Sequence, residues 1–313
     1  MSGLKIIFLG TPDIAVSALA ALVEGGHEVE LVVTQPDRRA GRGRKPRRGA
    51  VAAKADELGL VVAQPQRAAD ALAAMAELRP DLLVTMAYGQ LLPRAVLDLP
   101  PLGAINVHTS LLPLLRGAAP INRAILQGHR ETGVTTMYMD LAMDEGDIIM
   151  QASTDIEPQE TAGSLFDRLA IMGAELLVET VAALAQGSAP RTAQDHSAAT
   201  YAPMLSKAEG LVDWSRTAKE LDLYVRGMDP WPAAHTKADG KLLKLYAPTR
   251  VINEIDDEPG RVMELSWDGD ELVVACGKGG LGLGQVQAAG KKRMTAQQFL
   301  HGAKLKPGTE LGR

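Results

Sequence analysis

Lys5-Ile6-Ile7-Phe8-Leu9-Gly10-Thr11-Pro12-Asp13 is the stretch on which the fold turns. Ile6 to Leu9 are apolar without alternation, as in a strand covered on both faces. Gly10-Thr11-Pro12 ends that strand, and Pro12-Asp13 open an apolar-striped helix reaching about Glu24. Gly25-Gly26 stop the helix, and a second apolar strand runs from Glu28 to Thr34. A strand, a crossover helix and a strand in so short a span predict parallel pairing.

The alternation continues outward. Helices are expected at about Gly49–Leu58, Arg67–Leu78, Ala118–Leu126 and Thr161–Ala185. Strands are expected at Val61-Val62, Asp81–Thr85, Gly103–His108, Val134–Met139 and Ile148–Gln151. The pattern predicts an α/β domain with a mainly parallel, Rossmann-like sheet, in which ligands bind outside the carboxyl ends of the strands. Gly10, Tyr88-Gly89 and His108 all fall at such ends.

From about Gln186 the character changes. Pro190 to Pro203 is rich in Ala, Thr and Ser and reads as a linker. Beyond it come one helix, about Arg216–Arg226, and short alternating strands at Ala238–Tyr246, Gly260–Leu265, Glu271–Ala275 and Gly282–Ala288. Their Asp-Gly, Pro-Gly and Gly-Gly turns predict a small OB-like β-barrel. The expected domains are therefore 1–189, a linker at 190–205, and 206–313.

A chain of 313 residues, 46% hydrophobic, suits two cores, and with aromatics at 4% these must be built from aliphatic side chains. The single Cys276 permits no internal disulfide and no Cys-based zinc site, and in its strand-like run it reads as a buried small hydrophobe. The N-terminus lacks the apolar core of a signal peptide and no window approaches a membrane span, so a cytoplasmic protein with no membrane partner is expected. His196, His235 and His301 have no partner at metal-ligand spacing, so no metal is expected. A net charge of −5 argues against nucleic acid, but its distribution does not: seven basic residues and no acid lie between Arg38 and Arg48. Such a run is ordinarily a solvated stretch; here it follows a strand end beside the expected site, where it would attract phosphates.

Asn106 and His108 are two apart on one strand, so both side chains project from the same face while Val107 packs on the other. An amide beside an imidazole is a donor-rich pair suited to a carbonyl oxygen that becomes negative during attack. The plainer alternative is a structural histidine at a strand end. Four acids follow at Asp140, Asp144, Glu145 and Asp147, out of order for an EF-hand, and Asp144 is the candidate to reach into the site.

Asn106-x-His108-x-Ser110-Leu111-Leu112-Pro113, Gly117-x-x-Pro120, Thr132-Gly133 and Asp144-x-Gly146 together closely resemble the 10-formyltetrahydrofolate-dependent formyltransferases. Gly10-Thr11-Pro12, Thr34-Gln35-Pro36-Asp37-Arg38, Ala40-Gly41-Arg42-Gly43, Tyr201-Ala202, Asp213-Trp214 and Pro230-Trp231-Pro232 extend the resemblance over the whole chain, to the branch that formylates methionyl-tRNA. Two positions depart from the family pattern: Thr109 stands where glycine is usual, and Leu114-Leu115 where a basic-aromatic pair is common.

The resemblance implies a formyltransferase domain followed by a tRNA-binding OB-like domain, acting as a monomer. It implies transfer of the formyl group of 10-formyltetrahydrofolate to the α-amine of a charged initiator tRNA in translation initiation. Asn106 and protonated His108 would hold the oxyanion, and Asp144 would orient His108 or a water and relay the proton. Folate would lie against Met86, Tyr88, Gly89, Gln90, Ser110, Leu111, Leu112, Pro113 and Asp140. Arg38, Arg42, Arg44 and Lys45 would meet the tRNA. The clusters Lys291-Lys292-Arg293 and Lys304-x-Lys306 offer a second nucleic-acid surface. A formyltransferase for a small amine, such as glycinamide ribonucleotide or an amino sugar nucleotide, is the alternative within the family. A non-catalytic RNA-binding module is the alternative outside it. A dinucleotide dehydrogenase is disfavoured because Gly10-Thr11-Pro12 is no Gly-x-Gly-x-x-Gly fingerprint.

Overall fold

The computed structural model describes residues 3–40, 45–263, 271–302 and 305–312, with 38–40 and 45–46 described by backbone alone. The chain forms two compact units: Met1–Pro120, Glu131–Thr154 and Phe166–Pro203 make the first, and Ile121–Arg130, Asp155–Leu165 and Met204–Arg313 the second.

In chain order the elements are β1 (Lys5–Gly10), α1 (Ile14–Glu24), β2 (Glu28–Val33), β3 (Arg38–Ala40), β4 (Lys45–Arg47), α2 (Ala50–Glu57), β5 (Val62–Ala63), α3 (Leu72–Leu78), β6 (Leu82–Met86), α4 (Arg94–Leu97) and β7 (Ala104–His108). There follow α5 (Pro120–Leu126), β8 (Glu131–Tyr138), β9 (Ile148–Asp155), α6 (Ala162–Ala185), α7 (Ala218–Met228), β10 (Ala234–Ala238), β11 (Lys241–Ile252), β12 (Leu272–Ala275), β13 (Gly280–Ala288), β14 (Met294–Thr295) and α8 (Ala296–Gly302).

In the first unit the sheet runs β5-β2-β1-β6-β7-β8-β9. It is parallel from β5 through β7 and turns antiparallel where β7 meets β8. The apolar run that opened the sequence is the middle of this sheet: Ile6, Ile7, Phe8 and Leu9 are fully buried, as two-faced cover requires. Strand order reverses between β1 and β6, where Gly10 pairs with Met86, so the crevice of the Rossmann rule opens there.

The two faces of β7 have different work. On one, Ala104 joins a cluster with Ile7, Leu9, Val33, Leu83 and Tyr88, and Asn106 and His108 continue that face toward the strand's carboxyl end. On the other, Val107 meets α6 at Gly173, where an added Cβ would lie 3.2 Å from Val107 Cγ1 and 3.3 Å from Met86 Cε. A larger residue at that helix position would push on the strand that carries the catalytic candidates.

Four expectations are corrected. The basic stretch read as a loop has paired ends: β3 and β4 form an antiparallel hairpin with Arg38 opposite Arg47. Pro190–Pro203 is no free linker in this structure: Thr192 exchanges both backbone hydrogen bonds with Ile148 at 2.8 and 2.9 Å, and Ala202 with Arg116 and Ala119 at 2.7 and 3.1 Å. The strand expected over Ala238–Tyr246 is a hairpin, because Asp239 and Gly240 both take positive φ (50° and 70°), the pair of values a tight two-residue turn demands. In the strand expected at Gly260–Leu265, Arg261 and Val262 make single bridges to Glu310 and Val274, and Glu264 and Leu265 lie outside the described residues.

The second unit is built on an antiparallel sheet, β10-β11-β13-β12 with β14 against β13, the curled OB-like element expected. Its helix α7 is started by a capping box, Thr217 Oγ1 accepting from the Glu220 amide at 3.2 Å and Glu220 Oε2 from the Thr217 amide at 2.9 Å. Cys276 is buried there, which pushes its thiol up to about 12 and removes it as a nucleophile at neutral pH. Among the described residues no helix is long and apolar enough to cross a membrane.

Candidate active site

Three chain segments of the first unit meet at the end of β7. His108 is 6% exposed, and its Nε2 lies 3.0 Å from the Leu115 carbonyl. A carbonyl only accepts, so Nε2 carries a proton and Nδ1 is the nitrogen left for chemistry. Nδ1 faces Asp144 Oδ2 at 3.8 Å, close enough for charge attraction and too long for a direct hydrogen bond. Asp144 itself is held by the Gly117 amide, which donates to Oδ2 at 2.8 Å. The oxyanion role expected of His108 is thereby narrowed to Nδ1.

Asn106 sits one turn of the pleat earlier on the same face. Thr85 Oγ1, also 3.0 Å from the Ile105 carbonyl, donates to Asn106 Oδ1 at 2.9 Å. This turns the amide so that Nδ2, which has no partner among the described residues, is the free end. The structure thus brings together a free amide donor, an imidazole nitrogen and a carboxylate.

The turn after β7 is pinned from the neighbouring strands. Thr135 Oγ1 donates to the Ser110 carbonyl at 2.7 Å and accepts from the Leu112 amide at 3.1 Å, while Gln151 Nε2 donates to the Leu112 carbonyl at 2.9 Å. Ser110 Oγ donates to the Leu114 carbonyl at 2.6 Å. Leu114 and Leu115, which depart from the family pattern, therefore serve Ser110 and His108 through backbone carbonyls that any residue supplies. Two motif glycines are explained by space: an added Cβ on Gly146 would collide with the Tyr138 carbonyl, and one on Gly117 (φ 114°) would lie 2.9 Å from the Ala202 carbonyl.

The residues expected to touch folate divide by what remains available. Met86, Tyr88, Ser110 and Leu112 are buried, and Asp140 is exposed. Gln90 is bonded to the Ala68 amide at 2.9 Å and the Gln66 carbonyl at 3.1 Å, so its polar end faces its own chain. Tyr88 Oη is buried without a partner among the described residues, and burial raises its pKa. Leu111 and Pro113 flank Leu112, and Gly89 has φ 79° beside Gln35.

The basic hairpin is tied at its stem. Gln64 Nε2 donates to Asp37 Oδ1 at 2.8 Å and the Gln35 carbonyl at 3.0 Å, and Gln64 Oε1 accepts from Arg48 Nη1 at 2.7 Å. Arg48 also holds both oxygens of Asp56, each at 2.8 Å. The Gln64 hydrogen bond keeps the Asp37 carboxyl below its usual range, and the Arg48 guanidinium does the same for Asp56. Gln35 Nε2 donates to the Tyr88 carbonyl at 2.9 Å, linking the stem to the end of β6. Arg48 is thus committed internally. Arg38 and Lys45 stand on β3 and β4, and Arg42 and Arg44 lie outside the described residues.

In the second unit Arg293 is likewise committed, bonded to both Asp229 oxygens at 2.9 and 3.0 Å and stacked 4.2 Å over Tyr246, so that expected cluster loses one cation; Lys304 lies outside the described residues. Among the described residues no group of three or more His, Cys, Asp or Glu is placed to hold a metal. His196 pairs instead with Arg116 and Glu145. Sequence spacing gave no sign of Thr85, Gln151, Gln64 or Gln194, because each acts across the sheet or from a distant segment.

Family models match both halves of the chain: "Formyl transferase" over residues 4–181 and "Formyl transferase, C-terminal domain" over 204–304. The chain is 51% identical over 310 residues to a methionyl-tRNA formyltransferase of Desulfotalea psychrophila, covering 98% of this chain and 95% of the relative. It is 48% identical over 314 residues to one of Geobacter metallireducens, covering both in full. Among solved structures it resembles HypX from Aquifex aeolicus in complex with tetrahydrofolic acid (TM-score 0.67, 19% identity), covering 96% of this chain and 47% of HypX. It also resembles an N-formyltransferase from Helicobacter canadensis in complex with folinic acid and dTDP-3-aminofucose (TM-score 0.68, 16% identity), covering 91% of this chain and 99% of that one.

Proposed function

The chain belongs to the formyl transferase family, and from that premise we propose that it transfers the formyl group of 10-formyltetrahydrofolate to the α-amine of methionyl-initiator tRNA, giving N-formylmethionyl-tRNA for translation initiation. The observation that carries the chemistry is the apposition of His108 Nδ1 and Asp144 Oδ2 beside the free amide end of Asn106. The acceptor rests on the full-length likeness to proteins of that name and on the basic hairpin.

The amine nitrogen attacks the formyl carbon, and the carbonyl oxygen becomes an oxyanion. Asn106 Nδ2 donates to it, with protonated His108 Nδ1 as second donor; one such donor is worth about 100- to 1000-fold in rate. Asp144 takes the proton the amine loses, directly or through water, a role worth about 100- to 10000-fold. Collapse breaks the bond from the carbon to N10, and the proton relayed between Asp144 and His108 ends on N10. The pterin rests on the backbone of Met86 to Gln90 and Met139 to Asp144 and on the Ser110–Pro113 turn. Arg38, Arg42, Arg44 and Lys45 meet tRNA phosphates. The enzyme works as a cytoplasmic monomer and without a metal.

The test is formyl transfer from 10-formyltetrahydrofolate to charged initiator tRNA, compared with a free small amine, for wild type and His108→Ala. Wild type is expected to use the tRNA and His108→Ala to lose that activity. Formylation of the small amine in preference to the tRNA would overturn the assignment.

A further inference from the structure

Gln194 belongs to no helix or strand, yet it is 5% exposed and bonded at both ends of its amide. Oε1 accepts from Arg116 Nε at 3.1 Å and Nη2 at 2.7 Å. Nε2 donates to the Asp144 carbonyl at 2.9 Å and the Gly146 carbonyl at 2.7 Å. One side chain thus joins the segment that carries the acid to Arg116, whose next residue, Gly117, donates the amide that holds the acid's Oδ2.

Asp144 needs such a brace. Its φ is 56°, in the left-handed region, which aspartate tolerates better than most residues with a Cβ but still at a cost that its surroundings must offset. Arg116 is 1% exposed, so its charge must be met inside; Glu145 Oε1 lies 3.2 Å from Nη1 and His196 Nδ1 3.2 Å from Nη2. The segment that carries the acid, Asp144-Glu145-Gly146, and the segment that holds its carboxylate, Arg116-Gly117, are therefore locked to one another, and Gln194 is the neutral link that reaches both.

We propose that Gln194 is a positioning residue for formyl transfer, setting Asp144 at its working distance from His108 through the carbonyls of Asp144 and Gly146. The proposal rests on the formyltransferase reading of the site for its kinetic consequence, but its geometric content does not depend on that reading.

Gln194→Glu separates this role from simple support of Arg116. It keeps the volume and the acceptor for the guanidinium but loses both N–H donors to the Asp144 segment. For Gln194→Ala and Gln194→Glu alike, kcat is expected to fall about 100-fold, the scale of an ångström's misplacement, with KM for the folate donor within about twofold of wild type. If Gln194→Ala does not fold, Gln194→Glu decides. A Gln194→Glu enzyme with wild-type kcat, or one changed in KM alone, overturns the proposal. Amide exchange at Gly117 gives a readout independent of activity: Gln194→Glu should speed it about tenfold, the equivalent of one lost hydrogen bond. Unchanged exchange at Gly117 would also overturn the proposal. Absence of formyl transfer by wild type would instead overturn the proposed function.

Discussion

The surroundings of His108 and the basic hairpin belong to the same unit and are proposed to serve different ends. Around His108 each candidate catalytic group is tied to a defined partner: Nε2 to the Leu115 carbonyl, Asp144 to the Gly117 amide, Asn106 to Thr85. At the hairpin the ties among the described residues gather at the stem, where Gln64 collects Asp37 and Arg48. The two proposed tasks make different demands. Acyl transfer needs groups placed within about half an ångström, whereas attraction to phosphate acts over a Debye length of about 8 Å and tolerates loose placement.

The largest effect that tests this contrast is Asp144→Asn. The amide keeps an acceptor for Gly117 but cannot take a proton, so the single-turnover rate should fall about 100- to 10000-fold at saturating tRNA. A hairpin variant with an equal loss at saturation would erase the distinction. Thr85→Val asks whether orientation of the amide matters as much as its presence. With the donor to Asn106 Oδ1 gone, the rate should fall about tenfold, the worth of one hydrogen bond, while the melting temperature holds; an unchanged rate would show that Asn106 orients itself.

Arg48→Ala should act on the stem and not on the chemistry. Removing this exposed, solvent-screened ion pair should lower the first unit's unfolding midpoint by no more than about 2–4 °C. The linkage sign is set by the two carboxylates. Asp37 and Asp56 both have folded pKa values below 3.8, so their stabilisation is present above 3.8 and is lost as pH falls through the folded values. Wild type should therefore lose more stability than Arg48→Ala below that pH. Between about pH 5 and 8 the two curves should run parallel; a divergence there would assign the clamp to other groups.

Much of this was legible in the sequence, for identifiable reasons. Ile6 to Leu9 announced a two-faced strand because burial on both sides removes alternation, and the structure leaves all four fully buried. The two-residue spacing of Asn106 and His108 placed them on one face because the strand period is two. What stayed hidden depends on distant pairing. Nothing near Gln194 in sequence points to Asp144, fifty residues away, and an Ala-, Thr- and Ser-rich segment looks like a linker until its backbone partners are seen. Likewise seven cations between Arg38 and Arg48 carry no mark that Arg48 is committed to Asp56 and Gln64.

The division of labour between the two regions is tested most directly by single-turnover formyl transfer to charged initiator tRNA, at limiting and saturating tRNA, for His108→Ala and Arg42→Ala. The account predicts that His108→Ala lowers the saturated rate about 100- to 1000-fold. Arg42→Ala should lose rate only at limiting tRNA, with the salt dependence of binding reduced by about one phosphate contact. If Arg42→Ala lowers the saturated rate as His108→Ala does, or His108→Ala weakens only tRNA binding, the account is contradicted.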